Sequence, residues 1–368
     1  MIITNLKILN FRNHQNFEQT FSNAVNLVIG ENSTGKTSIL EAIYTLANTK
    51  SFRAHNDERL IKIGTDGFYI KGFFKDIVEH TAEISYSYKN KILKFDNYRI
   101  KKIREYIAKI SIVLYNPLHL YIINEGPVYR REFINIILSK TDVEYYVALH
   151  SYLKLLNEKR AALKLFKERK IKFDVIELIN KRLSEFASII VFKRYNFINY
   201  FKELVVEKFN LLMNRDIKLI IEYNTNCLNL KGIVKDKSKL EDFKNAAAQK
   251  FLKILGAEIR NSRILLGCQA DDLTFKDSGN IVKYYYSQGE RKALVLALKL
   301  AEIKYIREKT GGYPIVLLDD IFSELDDKRR QYLINELNSG FQSIITDIDF
   351  NEHLQKFSNF QKIELKKN

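Results

Sequence analysis

Apolar and polar positions alternate at the start of the chain. Ile3, Leu6, Ile8 and Phe11 recur within the first eleven residues and predict an opening strand. The apolar run from Ala24 to Ile29 predicts a buried strand. Thr37 to Ala47 predicts a helix, with Ile39, Leu40, Ile43 and Leu46 on one face. Residues 66–75 and 81–95, rich in Phe, Tyr and Ile, read as strands, and 110–115 as another that stops at Asn116-Pro117. The period then changes. From about Arg130 to Met213 there is no Pro or Gly, and apolar residues fall at helical spacing: Tyr152, Leu155, Leu156 and Leu163, then Ile176, Ile179, Leu183 and Phe186. This region is too short and irregular for a coiled coil of many heptads. Residues 217–223 predict a strand and 239–260 a helix, and strand–helix alternation returns at Leu273.

Two α/β ends flanking a helical insertion predict one discontinuous domain. The expected division is a head built from 1–115 and 258–368, with a mainly helical arm over 116–257.

The junction of the strand 24–29 and the helix after it carries the strongest chemical signal. Gly30-Glu31-Asn32-Ser33-Thr34-Gly35-Lys36-Thr37 matches the phosphate-loop pattern G-x-x-x-x-G-K-[ST], and Ser38 follows. Glycines let the backbone wrap a polyphosphate, and the helix N-terminus adds partial positive charge. Lys36 is expected on the β- and γ-phosphates and Thr37 on Mg²⁺. Far along the chain, Ile315 to Asp320 is an apolar strand ending in two carboxylates. Asp319 is assigned to the metal through its water shell, and Asp320 to the base that orients or deprotonates the attacking water.

Composition narrows the partners. The 368 residues include 60 Lys+Arg against 44 Asp+Glu, a formal charge of +16 that favours a polyanion such as nucleic acid. Cys227 and Cys268 lack the spacing of a disulfide framework or a zinc site, and two small buried thiols suit a reducing cytoplasm. Met1 to Asn13 lacks the features of a signal peptide, and no apolar run approaches membrane-spanning length.

Tyr286-Ser287-Gln288-Gly289-Glu290 precedes a strong helix, and Ser323-Glu324-Leu325-Asp326 follows the double Asp. In this order, the four motifs resemble the phosphate loop, signature, metal-binding strand and D-loop of ABC-type ATPase heads. Further stretches resemble the RecF family of bacterial recombination mediators, relatives of the structural-maintenance-of-chromosomes ATPases. These are Asn10-Phe11-Arg12-Asn13, Lys50-Ser51-Phe52-Arg53, Gly126-Pro127 with Arg130-Arg131-Glu132-Phe133, Tyr286 to Lys292, and Leu317 to Asp326. One departure from the family stands out: Gly267-Cys268-Gln269-Ala270-Asp271-Asp272 replaces its G-P-H-R-D-D. The switch His of transporter ATPases is absent, and Thr346 stands in its place, as the RecF resemblance implies. A Q-loop glutamine is not identifiable, Asn116 being the nearest polar residue.

The resemblance implies an ABC/SMC-type head with an inserted helical arm, binding ATP and Mg²⁺ and closing into an ATP-dependent homodimer. In that dimer Ser287, Gln288, Gly289 and Glu290 act on the partner's nucleotide. It implies binding to duplex DNA at gaps or junctions, with RecO, RecR and RecA as partners, and no membrane. Asp320 is shorter than the Glu of transporter cassettes, so hydrolysis is expected to be slow, on the order of 1 s⁻¹ or less. Candidate DNA contacts, acting through phosphates, are Arg53 and Arg59, Lys101, Lys102 and Arg104, Arg130 and Arg131, and Lys159, Arg160, Lys164, Lys167, Arg169, Lys170 and Lys172 along the arm. The competing readings are a transporter subunit, a nuclease-bearing relative, a divergent SMC-like ATPase, and a clamp that binds ATP without hydrolysing it.

Overall fold

The computed structural model describes residues 1–230, 239–350 and 352–366. The chain forms two compact units. The first comprises Met1–Leu120, Leu204–Ile217 and Tyr286–Asn368, and the second Tyr121–Glu203 and Lys218–Tyr285.

The first unit holds two sheets. One is six-stranded and antiparallel: β1 (Ile2–Phe11), β2 (His14–Thr20), β4 (Gly67–Lys75), β5 (Glu79–Ser87), β6 (Asn90–Phe95) and β7 (Tyr98–Arg99), in the order β2-β1-β4-β5-β6-β7. The expected strand over 81–95 is two strands. Tyr88 and Lys89, with φ of 49° and 62°, form the tight left-handed turn between β5 and β6.

The other sheet is five-stranded and parallel. Its strands are β3 (Val25–Ile29), β8 (Ile112–Tyr115), β12 (Ile315–Asp319), β13 (Ser343–Asp347) and β14 (Phe360–Glu364), in the order β14-β3-β13-β12-β8. β3, β8, β12 and β13 are buried along their whole length, which favours apolar residues in β8 and in Ile315–Leu318 of β12, while Asn26 in β3 and Ser343, Thr346 and Asp347 in β13 are buried polar groups. Register sets Asp347 beside Ile29 and Asp319 beside Thr346, so the carboxyl ends of β3, β13 and β12 share one edge. Open α/β sheets bind ligands at that edge.

Helix α1 (Lys36–Asn48) packs against strands of both sheets. Ser38 through Ala47 are all buried, so the face marked by Ile39, Leu40, Ile43 and Leu46 is only part of what the helix buries. Gln342 ties the sheets as well. Its amide takes Ile3 N–H at 2.8 Å and donates to Ile3 O and Ser22 O, each at 2.7 Å.

The second unit contains α2 (Tyr121–Asn124), α3 (Pro127–Thr141), α4 (Val143–Lys167) and the part of α5 (Phe173–Met213) that runs to Glu203. It also contains α6 (Leu240–Asn261), α7 (Val282–Tyr285) and a sheet of order β11-β10-β9, formed by β9 (Leu219–Asn224), β10 (Asp272–Asp277) and β11 (Asn280–Ile281). The division therefore differs from the expected one. Residues 258–285 go with the arm because β10 pairs antiparallel with β9, Leu273 opposite Tyr223. Residues 204–217 go with the head: Glu207 takes Lys304 at 3.0 Å, Lys208 takes Glu336 at 2.8 Å and Arg215 takes Glu290 at 2.5 Å. Residues 231–238, inside the expected arm, lie outside the described residues.

The interior of this unit is charged. Arg194 donates to Asp271 at 2.6 Å, to Cys268 O and to the Tyr145 hydroxyl. Lys159 and Glu258 form a pair at 2.5 Å with neither side chain exposed. Arg130, 9% exposed, makes a two-pronged contact with Asp272 and donates to Ile122 O and Glu125 O. Arg130 and Lys159 are thus structural groups and are withdrawn as DNA contacts. Arg131, half-buried, spends one guanidinium donor on Asp271 O at 2.8 Å. The unusual Gly267–Asp272 segment has the same role, since its two carboxylates hold Arg194 and Arg130.

Candidate nucleotide site

The loop between β3 and α1 bends through two left-handed residues, Ser33 at φ 71° and Gly35 at φ 101°. A Cβ at Gly35 would stand 2.4 Å from His14 Nε2 and 2.7 Å from Asn13 Nδ2, so only glycine fits. No side chain caps α1, which leaves its first N–H groups for an anion. Thr34 folds its hydroxyl onto Glu31 O at 2.9 Å, and Lys36 Nζ donates to the carbonyls of Gly30 and Glu31.

The β1–β2 turn grips this loop from behind. Asn13 Nδ2 donates to Ser33 O at 3.1 Å, and His14 Nε2 lies 3.1 Å from Gly35 O. These are the carbonyls of the two left-handed residues, so the turn engages the loop through its carbonyl side. Burial pushes the His14 imidazole down, as does the Lys62 charge, against the pull of the Gly35 carbonyl. Neutral His14 then donates through Nε2–H.

A cavity of about 710 Å³ opens over the loop, lined by Asn32, Ser33, Gly35, Lys36, Thr37 and Ser38. Asp319, Asp320 and Thr346 line it from β12 and β13. Asp319 Oδ1 accepts from Thr37 Oγ1 at 2.9 Å and from Thr346 Oγ1 at 2.8 Å. Burial raises the Asp319 carboxyl, while both hydroxyls and the charge of Arg53 pull it back. Asp320 takes φ 52°, donates its N–H to Thr346 Oγ1 at 3.0 Å, and keeps Oδ1 buried without a partner. Hard oxygens from Thr37 and Asp319, with an unpartnered carboxylate beside them, suit a small divalent cation.

Arg12, Asn13, Arg53, Arg59, Ile61, Lys62, Ile63 and Ile348 complete the lining. Arg53 and Arg59 thus stand in the nucleotide cavity rather than on a separate DNA surface. Buried Glu41 on α1 organises this wall: Arg12 reaches it through two contacts of 2.9 and 2.7 Å, Ser51 Oγ donates to it, and Arg53 lies 3.9 Å away. Neither Glu41 nor His14 announces itself in the sequence, since each role depends on contacts between distant segments.

Other motif residues lie elsewhere. Ser287 caps α8 (Gln288–Thr310) in a reciprocal box with Glu290, and Glu290 also holds Arg215. Gly289 is open enough that an added Cβ would meet only Arg329, at 3.5 Å. Ser323 Oγ donates to Asp320 O at 2.8 Å, Glu324 faces Lys292 at 3.5 Å, Leu325 is buried, and Asp326 caps α9 (Asp327–Leu337). None of Ser287–Glu290 or Ser323–Asp326 lines the cavity of its own chain. Asn116 is buried in a turn with His119 and does not line it either.

Comparison with known proteins decides what such a head is part of. The family profile described as "RecF/RecN/SMC N terminal domain" matches residues 2–368. A "DNA replication and repair protein RecF" of Natranaerobius thermophilus is 33% identical over 362 residues, covering 95% of this chain and 93% of the relative. The chain belongs to the RecF family. The RecF of Ruminiclostridium cellulolyticum is also 33% identical, over 375 residues, with 99% and 98% covered. Among solved structures, the "recombination mediator protein RecF-ATPrS in RecFOR pathway" superposes with a TM-score of 0.87 at 30% identity, over 98% of this chain and 95% of that one. An Smc head domain from Pyrococcus furiosus, at 15% identity and a TM-score of 0.55, shares the fold, with 99% and 94% covered. The architecture is accordingly an α/β ABC/SMC-type head with helical insertions, and membership in the family makes the chain a RecF-type recombination mediator in DNA replication and repair.

Proposed function

We propose that this chain binds ATP with Mg²⁺ in the phosphate-loop cavity, hydrolyses it slowly, and uses the cycle to hold and release duplex DNA at gaps. One observation carries the reading. Asp319 accepts from Thr37 and Thr346 at the mouth of a phosphate loop that the β1–β2 turn holds open. Loop N–H groups and Lys36 take the phosphates, and Arg12, Arg53 and Arg59 add positive charge on the facing wall. Thr37 and Asp319 hold Mg²⁺, which when bound neutralises charge on the β- and γ-phosphate oxygens. Asp320, set beyond the strand end by its left-handed backbone, orients the attacking water.

The exposed Ser287 and Gln288, with Gly289 and Glu290, serve the nucleotide of a second copy, so ATP closes a homodimer. RecO, RecR and RecA are the partners proposed from family membership, with RecA loading as the outcome. A cytoplasmic place suits the two buried free thiols, and no helix among the described residues is long and apolar enough to cross a membrane.

The test is duplex-DNA affinity at fixed salt with ATP, with ADP, and with ATP plus Lys36→Met, alongside phosphate release. Tight binding that requires ATP and Lys36, with phosphate released at about 1 s⁻¹ or less, is the expected result. Equal affinity in all three arms would leave a passive polyanion binder. ATP-dependent DNA binding without phosphate release would make the chain a non-hydrolysing clamp.

A further inference from the structure

The edge of the six-stranded sheet is strongly cationic. Residues 89–109 carry eight Lys and Arg against Asp96 and Glu105. Lys89, Lys94, Arg99, Lys101, Lys102 and Arg104 are all exposed, and none forms an ion pair among the described residues. Lys91 is spent on Asp57 at 2.9 Å, and Asp96 on His80 at 2.8 Å.

Register sharpens the point. Lys94 on β6 is the direct partner of Arg99 on β7, the edge strand. Like charges directly opposite each other destabilise a sheet. The carboxylate across from Lys94 on the other side, Glu83, is bonded to Lys71 at 2.8 Å. Ile100 N–H donates to Leu93 O at 2.9 Å and ends the ladder. Lys101, Lys102 and Arg104 follow in the turn beyond it. A lysine on a bare edge strand can serve to keep edges from pairing. That purpose does not account for three more cations past the last ladder bond, nor for two placed face to face. An extended anion relieves both.

We propose that this edge, from Lys94 through Arg104, holds duplex DNA by its phosphates. The assignment rests on the DNA-binding reading above and gives it a surface. Phosphate contacts carry no sequence preference and are salt-dependent. None of these residues lines the nucleotide cavity, so the edge is separable from hydrolysis.

The experiment compares the parent with Lys101→Glu/Lys102→Glu/Arg104→Glu and with the milder Lys94→Gln/Arg99→Gln. A labelled random-sequence duplex is titrated at several salt concentrations with ATP, and phosphate release is measured without DNA. The charge-reversal variant should lose roughly 10- to 100-fold in affinity, and the slope of log K against log salt should shallow by about 0.9 for each phosphate no longer held. Phosphate release without DNA should match the parent in both variants, which also reports their folding. Parental affinity and slope in both variants, with hydrolysis intact, would overturn the edge while leaving DNA binding itself standing. A parent that holds no duplex with any nucleotide would sink the DNA reading, and the edge with it.

Discussion

Thr346 donates its hydroxyl to Asp319 Oδ1 at 2.8 Å while accepting the backbone N–H of Asp320 at 3.0 Å. A single side chain thus aims the carboxylate assigned to the metal and fixes the backbone of the one assigned to the water. Replacing it with Val keeps the volume and removes both bonds. Thr346→Val should lower steady-state phosphate release by roughly 10- to 100-fold, the cost of losing one or two well-placed hydrogen bonds. ATP affinity should stay within a few-fold, because the phosphate loop is untouched. Nucleotide binding and phosphate release measured on the same preparation separate the two effects. A loss confined to binding would contradict this role for Thr346.

His14 offers a different handle, because burial holds its imidazole below the ordinary range. The folded chain resists protonation there, whereas the unfolded chain takes a proton near pH 6.5. Between those two values the unfolded state binds more protons, so stability rises with pH. The contribution is complete above about pH 6.5 and is lost as pH falls from there toward the folded value. Urea unfolding at pH 7.5 and at pH 5.5 should show the loss, and His14→Gln should shrink it. Glutamine can still donate to Gly35 O, so ATP affinity should suffer less in His14→Gln than in His14→Ala. Equal pH sensitivity in parent and His14→Gln would remove His14 from the account.

Local pattern carried much of this molecule. Three of the parallel strands are legible because burial on both faces favours apolar residues, as in Val25–Ile29, interrupted only by Asn26, in Ile112–Tyr115 and in Ile315–Leu318. The phosphate loop is legible because its chemistry needs glycine and lysine at fixed spacing within eight residues. Long-range partnership was not legible. Arg130 and Lys159 read as exposed cations on a helix, since nothing near them in sequence shows that Asp272 and Glu258 wait 142 and 99 residues away. Arg53 read as a surface arginine because its place beside Glu41 depends on how the chain returns after α1. The boundary near 258 was misplaced for the same reason: the strand from Asp272 looks like head until its partner at Tyr223 is known.

The buried Lys159–Glu258 pair makes that correction testable. Glu258 also takes the backbone N–H groups of Leu265 and Leu266 at 2.9 and 3.2 Å, and Lys159 also donates to Asn180. Lys159→Met strands a buried carboxylate and should cost about 3–5 kcal/mol in urea unfolding. Lys159→Met/Glu258→Gln should recover a large part of that, since the amide oxygen still accepts while the charge is gone. Per folded molecule, duplex affinity should stay at the parental value. A stable Lys159→Met variant with weakened DNA binding would return Lys159 to the DNA surface.

The signature motif allows the dimer itself to be tested by mixing. Ser287 is exposed at the N-terminus of α8, and no residue from Ser287 to Glu290 lines the cavity of its own chain. If a second copy supplies these groups, Ser287→Arg and Lys36→Met disable different halves of one composite site. Each variant alone should release almost no phosphate. Mixed in equal amounts they form heterodimers, in which one site joins an intact phosphate loop to an intact signature and the other joins both lesions. With random two-fold pairing, half the dimers are mixed and each carries one working site, so activity should recover to roughly a quarter of the parent. Ser287→Arg should meanwhile bind ATP as the parent does, because the substitution is remote from its own loop. Absence of recovery, with both variants folded and Ser287→Arg still binding ATP, would mean that the site does not borrow Ser287 from a partner. The role of α8 would then be confined to its own chain, where Ser287 serves only as the helix cap.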